Sequence, residues 1–330
     1  MKEILTHLFD KNVLTKQEAK EVLLNIGRGK FTDPEIAAFL TVYMMRKIHP
    51  DELSGFREAL LDLCVPVDLD GFNTIDVCGT GGDEKNTFNI STLCAFVLAG
   101  TGAKVVKHGN YGVSSGCGSS NILEYMSYTF SNDNAKIRKE LEEANISYLH
   151  APVFHPSMKY VGPVRKSLKL KTFFNLLGPM VNPAKPVNQI VGVYNEEALD
   201  LYHNVFSSAG INSIILYSLD GYDEISLTGD FRSVSSGEDK IYSPESIGFG
   251  KVFPEDLFGG NSVEEAAKIF LDILEGNGTR PQNDVVTANA GFALKCYFPE
   301  RSLQECIHIA RESLENRKAL KAMKKLIALQ

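Results

Sequence analysis

Residues 76–124 read DVCGTGGDEKNTFNISTLCAFVLAGTGAKVVKHGNYGVSSGCGSSNILE, and two glycine-rich loops interrupt this stretch. An apolar run at 75–78 predicts a strand, and the turn Gly79-Thr80-Gly81-Gly82-Asp83 follows it. Asn89-Ile90-Ser91-Thr92 then reads as a helix start leading into an apolar helix. A second strand is expected at 103–107, followed by a second loop through Gly109, Gly112, Gly116 and Gly118. Loops leaving neighbouring strands of one open α/β sheet face each other across a crevice, where ligands of such sheets bind.

The first loop is suited to an anion. Glycine lets backbone approach a ligand closely, and consecutive N–H groups in a turn can form an anion nest. A helix start adds unpaired N–H groups and a favourable dipole, and Ser91 and Thr92 add hydroxyls there. No Gly-Lys-Ser/Thr follows, so this is not a Walker loop, and GTGGDE lacks the third glycine of the dinucleotide fingerprint. A pair of plain tight turns would explain one such loop. It explains less well two loops with Lys107, His108 and Asn110 between them.

The frame agrees with a two-domain globular protein. The chain has 330 residues, a hydrophobic fraction of 44% and a net charge of −7. That charge argues against a broad nucleic-acid face, so a phosphate site must use local cations. The six cysteines, Cys64, Cys78, Cys94, Cys117, Cys296 and Cys306, form no CxxC pair and no zinc spacing. They read as buried free thiols in a reducing compartment, which implies the cytoplasm. Neither a signal peptide nor a membrane-spanning run is apparent.

The first seventy residues predict only helices. One covers 1–9; Thr15 with Glu18 forms a capping box for the next, to about residue 25. Asp33 is expected to cap a third, with Pro34 at its first position. That helix is apolar over most of its surface, so it is either central in a helical domain or partly hidden in a subunit contact. A fourth begins near residue 50, and 64–73 reads as a linker into the sheet.

The remainder alternates strands and helices. Helices are expected at 134–144, 196–209, 263–274, 284–296 and 302–326, with strands at 146–149, 190–194 and 212–217. Ala151-Pro152 should end the strand at 146–149. Residues 155–184 concentrate Lys159, Arg165, Lys166, Lys169 and Lys171 in an otherwise acidic chain. Asp223 and Glu224 stand together beyond a strand, beside Gly221. Such a pair suits magnesium, which prefers carboxylates, waters and substrate phosphates; a solvated acidic loop is the plainer reading.

Taken in order, these segments resemble the anthranilate phosphoribosyltransferase family. The matching pieces are GTGGD at 79–83, FNIST at 88–92, KHGN at 107–110, VSS at 113–115 and HPSMK at 155–159. PVRK at 163–166, FNLLGP at 174–179, NPA at 182–184, GYDE at 221–224 and NAG at 289–291 continue the set over essentially the whole chain. The resemblance implies a small all-helical N-terminal domain, 1–70 with part of 166–188, hinged to a large α/β domain, 71–330. Its central mixed sheet would be flanked by helices, in the nucleoside phosphorylase and phosphoribosyltransferase manner. The paired acids before a Thr-Gly loop that mark ordinary phosphoribosyltransferases are absent, in keeping with this separate fold.

The implied activity transfers phosphoribosyl from phosphoribosyl pyrophosphate to the amine of anthranilate, in tryptophan synthesis. The resemblance puts phosphoribosyl pyrophosphate on Gly79, Thr80, Gly81, Gly82, Asp83, Thr87, Asn89, Ile90, Ser91, Thr92, Lys107 and Ser119. Anthranilate falls to Gly79, His108, Asn110, Ala151, Pro152, Met158, Arg165 and Gly178. Ser91, Asp223 and Glu224 would hold two magnesium ions. A homodimer through the helical domain is implied, with no nucleic-acid or membrane partner. The chain departs from the family's commoner residues at Tyr111-Gly112, Gly116-Cys117 and Asn121, and has Lys169 where glycine is frequent. Three other readings are a pyrimidine nucleoside phosphorylase, a phosphoribosyltransferase for another aromatic amine, and a non-enzymatic nucleic-acid-binding homologue.

Overall fold

A computed structural model of the chain describes residues 1–112 and 116–330. The VSS of the second loop, residues 113–115, therefore lies outside the described residues. Four helices open the chain: α1 (Lys2–Phe9), α2 (Lys16–Gly27), α3 (Asp33–Met45) and α4 (Pro50–Leu63). The capping box of α2 forms as expected, with Thr15 N donating to Glu18 at 2.8 Å and Glu18 N to Thr15 Oγ1 at 3.3 Å. The cap of α3 is Thr32 rather than Asp33: Glu35 reaches back to the Thr32 amide at 2.9 Å, which makes Asp33 the first helical residue.

The α3 side chains Phe39, Leu40 and Tyr43 are buried inside the helical unit. Phe56 and Phe173 stack at 4.5 Å between ring centres, and Phe39 and Tyr43 meet them edge-on. Buried Glu52 ties the unit together: it takes two bonds from Arg46, at 2.6 and 2.8 Å, one from Tyr43 and one each from the Leu14 and His49 amides. A buried carboxylate needs this full set of partners to offset its desolvation.

Seven strands form one sheet: β1 (Thr74–Gly79), β2 (Lys104–Gly109), β3 (Ile146–His150), β4 (Asn188–Gly192), β5 (Asn212–Ser218), β6 (Phe231–Val234) and β7 (Asp239–Tyr242). Their order is β3-β2-β1-β4-β5-β6-β7. The first five in this order run parallel, and β6 and β7 are antiparallel. The sheet is thus mixed, and β1 and β2 are neighbours as their two loops require. The chain winds outward from β1 to β3 and then returns to lay β4 on the other side of β1. The switch point of the sheet therefore lies between β1 and β4.

Helices α5 (Ile90–Gly100), α6 (Ser119–Tyr125) and α7 (Asn134–Ala144) connect the first strands. The short α8 (Ala151–Phe154), α9 (Gly162–Leu168) and α10 (Phe174–Leu177) lie between β3 and β4. Then come α11 (Glu196–Ser208), α12 (Val263–Leu274), α13 (Arg280–Tyr297), α14 (Leu303–Glu315) and α15 (Lys318–Ile327). Residues 90 and 92–99 of α5 are all buried, because α13, α14, α15 and the sheet surround it. An all-apolar helix needs such an enclosure.

Ala151-Pro152 ends β3 as expected, and does so by starting α8, with proline in the first turn where its missing N–H costs nothing. Two expected elements are corrected. The expected strand at 190–194 sits two residues earlier, as β4. The expected helix at 302–326 is two helices, broken at Arg317, whose φ is +57°. Of the cysteines, all unpaired, Cys64 and Cys78 are only partly buried.

Val161, Val164, Phe173, Phe174 and Leu177 share a core with Phe39, Phe56, and with Val191, Val193 and Tyr202 on and beyond β4. The helical unit is therefore packed directly on one face of the sheet. Lys169 ends α9 in a left-handed conformation, φ +54°, which explains why glycine suits that position.

Candidate active site

The first loop turns on Gly81 and Gly82, with φ of +65° and +82°, a conformation that side chains other than glycine rarely adopt. Its shape is fixed from below. Thr80 N donates to Gly192 O at 2.9 Å, and Gly81 N donates to Oδ2 of Asp223 at 2.6 Å. Asp223 thus sits under the ends of β1 and β4, at the switch point. A Cβ on Gly79 would lie 2.3 Å from Asp223 Oδ2, and one on Gly192 only 1.6 Å from Asp223 O. Both glycines are required by this close approach.

Glu224 lies alongside. Its Oε1 accepts from the Ser91 amide at the start of α5, at 3.3 Å. Its Oε2 is buried without a hydrogen-bond partner, as is Thr80 Oγ1. Buried Lys107 donates to Val77 O at 2.6 Å and to Ser91 Oγ at 3.3 Å. Burial pushes the Asp223 carboxyl up to about 7, and the Asp83 carboxylate adds to this. Burial and the neighbouring Asp223 push Glu224 up as well, against the opposing pull of Lys107. Buried Asp223 and half-buried Glu224 thus stand adjacent, with Lys107 opposing the shift of Glu224, an arrangement that additional positive charge would relieve.

The cavity between them is about 20 Å³, lined by Gly79, Ser91, Asp223 and Glu224 among others. That is room for a water or a small cation and not for a substrate. Among the described residues no group of three or more His, Cys, Asp or Glu side chains is placed to hold a metal. A magnesium ion here would therefore need water and phosphate oxygens to complete its shell. The oxygens of Ser91, Asp223 and Glu224 and the orphaned Oε2 fit that demand.

The other loop residues fall around this centre. Asn89 caps α5 and its side chain donates to Cys117 O at 3.1 Å, which joins the two glycine-rich loops. Ile90 and Thr92 are buried, so Ile90 can present only its backbone to a ligand. Thr87 pairs across to Phe258 in an isolated bridge. Ser119 lies against Asn110 O at 3.4 Å and Tyr148 Oη at 2.7 Å, so it holds the second loop to β3.

Of the residues assigned to anthranilate, His108, Asn110, Ala151 and Pro152 lie at the ends of β2 and β3, whereas Gly79 ends β1, Met158 and Arg165 lie on the segment from α8 to α9, and Gly178 precedes β4. Gly109 and His150 are register partners, so Asn110 and Ala151 leave the sheet side by side, with Pro152 next in the chain. His108 is buried, with Nδ1 3.2 Å from Gly178 O and its ring centre 5.3 Å from that of His155. Burial and the nearby His155 press the His108 pKa down to about 3, and burial presses His155 down to about 4. Both imidazoles are neutral, and Nε2 of His108 has no partner. Met158 packs against the helical unit.

Arg165 projects from α9 over the Phe174 ring, 5.4 Å from its centre, with a 3.4 Å bond to Asn175 Oδ1. Burial presses its pKa down. It forms no ion pair with an acidic side chain among the described residues, so a merely structural salt bridge does not account for it. Of the other cations in this segment, Lys171 donates to Gly82 O at 2.9 Å and pairs with Glu84 at 2.8 Å.

Residues 178–182 form a strap beside the site. Gly178 O faces His108, Pro179 O accepts from Gln189 at 2.9 Å, Met180 O from Arg57 at 3.1 Å, and Val181 O lies 3.0 Å from His155 Nε2. Asn182 donates to Asp76 Oδ2 at 2.8 Å.

Sequence reading did not single out Asp76, Asn289 or Lys171 for the site. Asp76 is fully buried in β1, accepts from the His108 amide at 3.2 Å, and has its carboxyl pushed up to about 6 by burial. Asn289 exchanges bonds of 3.0 and 2.9 Å with the Ile225 backbone and so fixes the residue after Glu224. The acid inside the apolar run TIDVCG was a signal for the first, and the NAG segment for the second.

The model of the glycosyl transferase family helical bundle domain matches residues 2–64, and that of the family's a/b domain matches residues 71–320. The anthranilate phosphoribosyltransferase of Flavobacterium johnsoniae is 53% identical over 330 residues, covering 99% of this chain and 98% of its own. The solved structure of the Thermus thermophilus anthranilate phosphoribosyltransferase superposes with a TM-score of 0.93 at 32% identity, covering 98% of each chain. That of the Saccharomyces cerevisiae enzyme in complex with PRPP and Mg gives 0.88 at 26% identity, covering 96% of this chain and 93% of that one.

Proposed function

The chain belongs to the anthranilate phosphoribosyltransferase family, and from that membership we propose how its own residues carry the reaction. It transfers the 5-phosphoribosyl group of phosphoribosyl pyrophosphate to the amine of anthranilate and releases pyrophosphate. The observation that carries the residue assignment is the buried pair Asp223 and Glu224 beneath the Gly81 turn, with Lys107 beside them.

The pyrophosphate lies over the turn at residues 79–83, whose Thr80 and Gly81 amides are already used within the fold so that those of Gly82 and Asp83 serve it, and over the start of α5, with Asn89, Ser91 and Thr92 around it and Thr87, Lys107 and Ser119 at its margins. Ser91, Asp223 and Glu224 would hold magnesium, two ions in our reading; the complex of the Saccharomyces cerevisiae enzyme with PRPP and Mg supports magnesium itself. Bound magnesium supplies positive charge for the phosphate oxygens. The amides of the loop and Lys107 stabilise charge on the departing pyrophosphate oxygen.

Arg165 receives the anthranilate carboxylate in a two-point contact. His108, neutral and donating from Nδ1 to Gly178 O, presents the Nε2 lone pair on the acceptor side, near Asn110, Ala151 and Pro152. The anomeric carbon gains positive character as its bond to pyrophosphate breaks, and the amine nitrogen forms the new bond. An aromatic amine keeps its lone pair free at neutral pH, so holding it in line contributes more than a strong base would.

Residues 1–70 with part of 166–188 form the helical domain in this reading, and 71–330 the catalytic domain. A homodimer through the helical domain is supported by the exposure of Met45 at the end of α3 and of Phe9 at the end of α1. No helix among the described residues is long and apolar enough to cross a membrane. Six unpaired cysteines and a net charge of −7 support a cytoplasmic enzyme without a nucleic-acid partner. Loss of anthranilate fluorescence, measured with and without phosphoribosyl pyrophosphate and magnesium, tests this function. No loss with all components present would overturn it.

A further inference from the structure

A second cavity, of about 210 Å³, opens at the opposite end of the sheet from the Asp223 centre. It sits at the N-terminal ends of the parallel strands β4 and β5, between α4 of the helical unit, the segment after the strap, and the end of α11. Gln189 of β4 lines it, while Gly192, three residues on, abuts Asp223. At the usual rise of a strand the two sites are about 10 Å apart along β4.

The lining has an unusual balance of charge. Two of its residues are cationic, Arg57 and Lys185, and none is acidic. Arg57 donates from Nε to Met180 O, its only hydrogen bond among the described residues, and burial presses its pKa down. The neighbouring Glu58 acts on it only through space and forms no ion pair with it, because that carboxylate is turned to Lys16 and Lys20, at 2.6 and 3.4 Å. Lys185 forms no ion pair among the described residues and is held in a left-handed turn, φ +45°. A half-buried guanidinium without a directly paired carboxylate is costly, and a bound anion would relieve that cost. The remaining wall is mostly apolar, with Met180, Pro186 and Ile211.

We propose that this rear cavity binds a small organic monocarboxylate with an apolar body, its carboxylate between Arg57 and Lys185 and its body against Met180, Pro186 and Ile211. The ligand would bridge the helical unit and the sheet, because Arg57 comes from α4 and the other contacts from beyond residue 178. It would also lie against the strap whose Gly178 and Val181 carbonyls face His108 and His155.

Methionine methyl NMR tests this on the full chain. Met180 lines the rear cavity, and Met158 lies on the α8–α9 side, where anthranilate is placed. With methyl-13C methionine and benzoate as the probe, the Met180 signal should shift saturably. Benzamide, of the same shape without the charge, and inorganic phosphate, charged without the apolar body, should each bind at least about tenfold more weakly. Arg57→Gln should weaken the Met180 response by at least about tenfold and leave any Met158 response to benzoate in place. Arg57→Lys should recover part of it. If Arg57→Gln does not fold, the exposed Lys185→Gln decides, with a loss of severalfold expected. Absence of a saturable Met180 shift in the unaltered protein, equal binding of benzamide or phosphate, or a shift indifferent to both cation variants would overturn the proposal.

Discussion

The Gly81 amide donates to Oδ2 of Asp223 at 2.6 Å, across 142 residues of sequence. The bond places the acidic loop after β5 under the glycine-rich loop after β1. Asp223→Asn combined with Glu224→Gln should lower turnover by at least about a hundredfold, since charge stabilisation at the leaving group is of that order. Circular dichroism should be unchanged, and raising magnesium should not restore the rate. Near-normal turnover in the double variant would remove these two residues from catalysis.

Gly192→Ala tests the close approach of the same loop. The new Cβ would meet the carbonyl oxygen and carbon of Asp223 at 1.6 and 2.5 Å, and backbone on both sides cannot step aside cheaply. Such overpacking costs about 1–3 kcal/mol or more, so Tm and activity should fall together. Gly250→Ala, whose Cβ would have no neighbour within 4 Å, is the control. It should change stability by no more than about 0.5 kcal/mol. Equal Tm values for the two variants would contradict the geometry.

Arg165→Ala should raise the KM for anthranilate about ten- to a hundredfold, the worth of one lost charge-assisted bond of roughly 1.5–3 kcal/mol. The KM for phosphoribosyl pyrophosphate should move much less. Arg165→Lys should recover only part of the loss, because an ammonium cannot reproduce the planar two-point contact. Steady-state kinetics at saturating donor and magnesium distinguishes these outcomes. Equal losses for both substrates would assign Arg165 to the donor or to the fold.

His155 gives stability a pH dependence of known sign. Its pKa is ordinarily near 6.5 and falls to about 4 on folding, through burial. The unfolded chain thus binds the proton more readily, and the contribution is complete above pH 6.5 and lost as pH falls toward 4. Between pH 7.5 and 5 this one residue should remove about 2 kcal/mol. His155→Gln keeps a donor for Val181 O without the titration. The acid loss read from urea midpoints at the two pH values should shrink by about that amount in the variant, with the part due to His108, whose pKa is also pressed down, remaining; an undiminished acid loss would refute the assignment.

Sedimentation equilibrium should give a dimer in the micromolar range. The interior of α3 is used within the helical unit, so the contact should involve its exposed end, where Met45 is 84% accessible, and Phe9 at 66%. Met45→Glu with Phe9→Glu should shift the equilibrium toward monomer without unfolding the chain. A monomer at all concentrations in the unaltered protein would refute the contact.

Features carried by local chemistry were legible in the sequence. Thr15 with Glu18 announces a helix start because its two bonds close within four residues. The glycine-rich loops announce close approach to a ligand in the same way. Arg317 was not legible: a left-handed residue that is neither glycine nor asparagine leaves no local mark, so α14 and α15 read as one charged helix. The use of Asp76, Asn289 and Lys171 depends on partners 32 to 106 residues away. No periodicity reports that, although the odd acid within TIDVCG hints at it.

The strap at 178–182 has a consequence for mutational tolerance. The carbonyls of its first four residues, and not their side chains, face His108, Gln189, Arg57 and His155. Met180 and Val181 should therefore exchange with residues of similar volume at little cost. Inserting or deleting one residue would be different in kind, because every carbonyl would move one place along and face the wrong side chain. From 178 to 181 the strap acts as a ruler, tolerant of side chains of similar volume and intolerant of any change in spacing, and Asn182, whose side chain bonds Asp76, fixes its end.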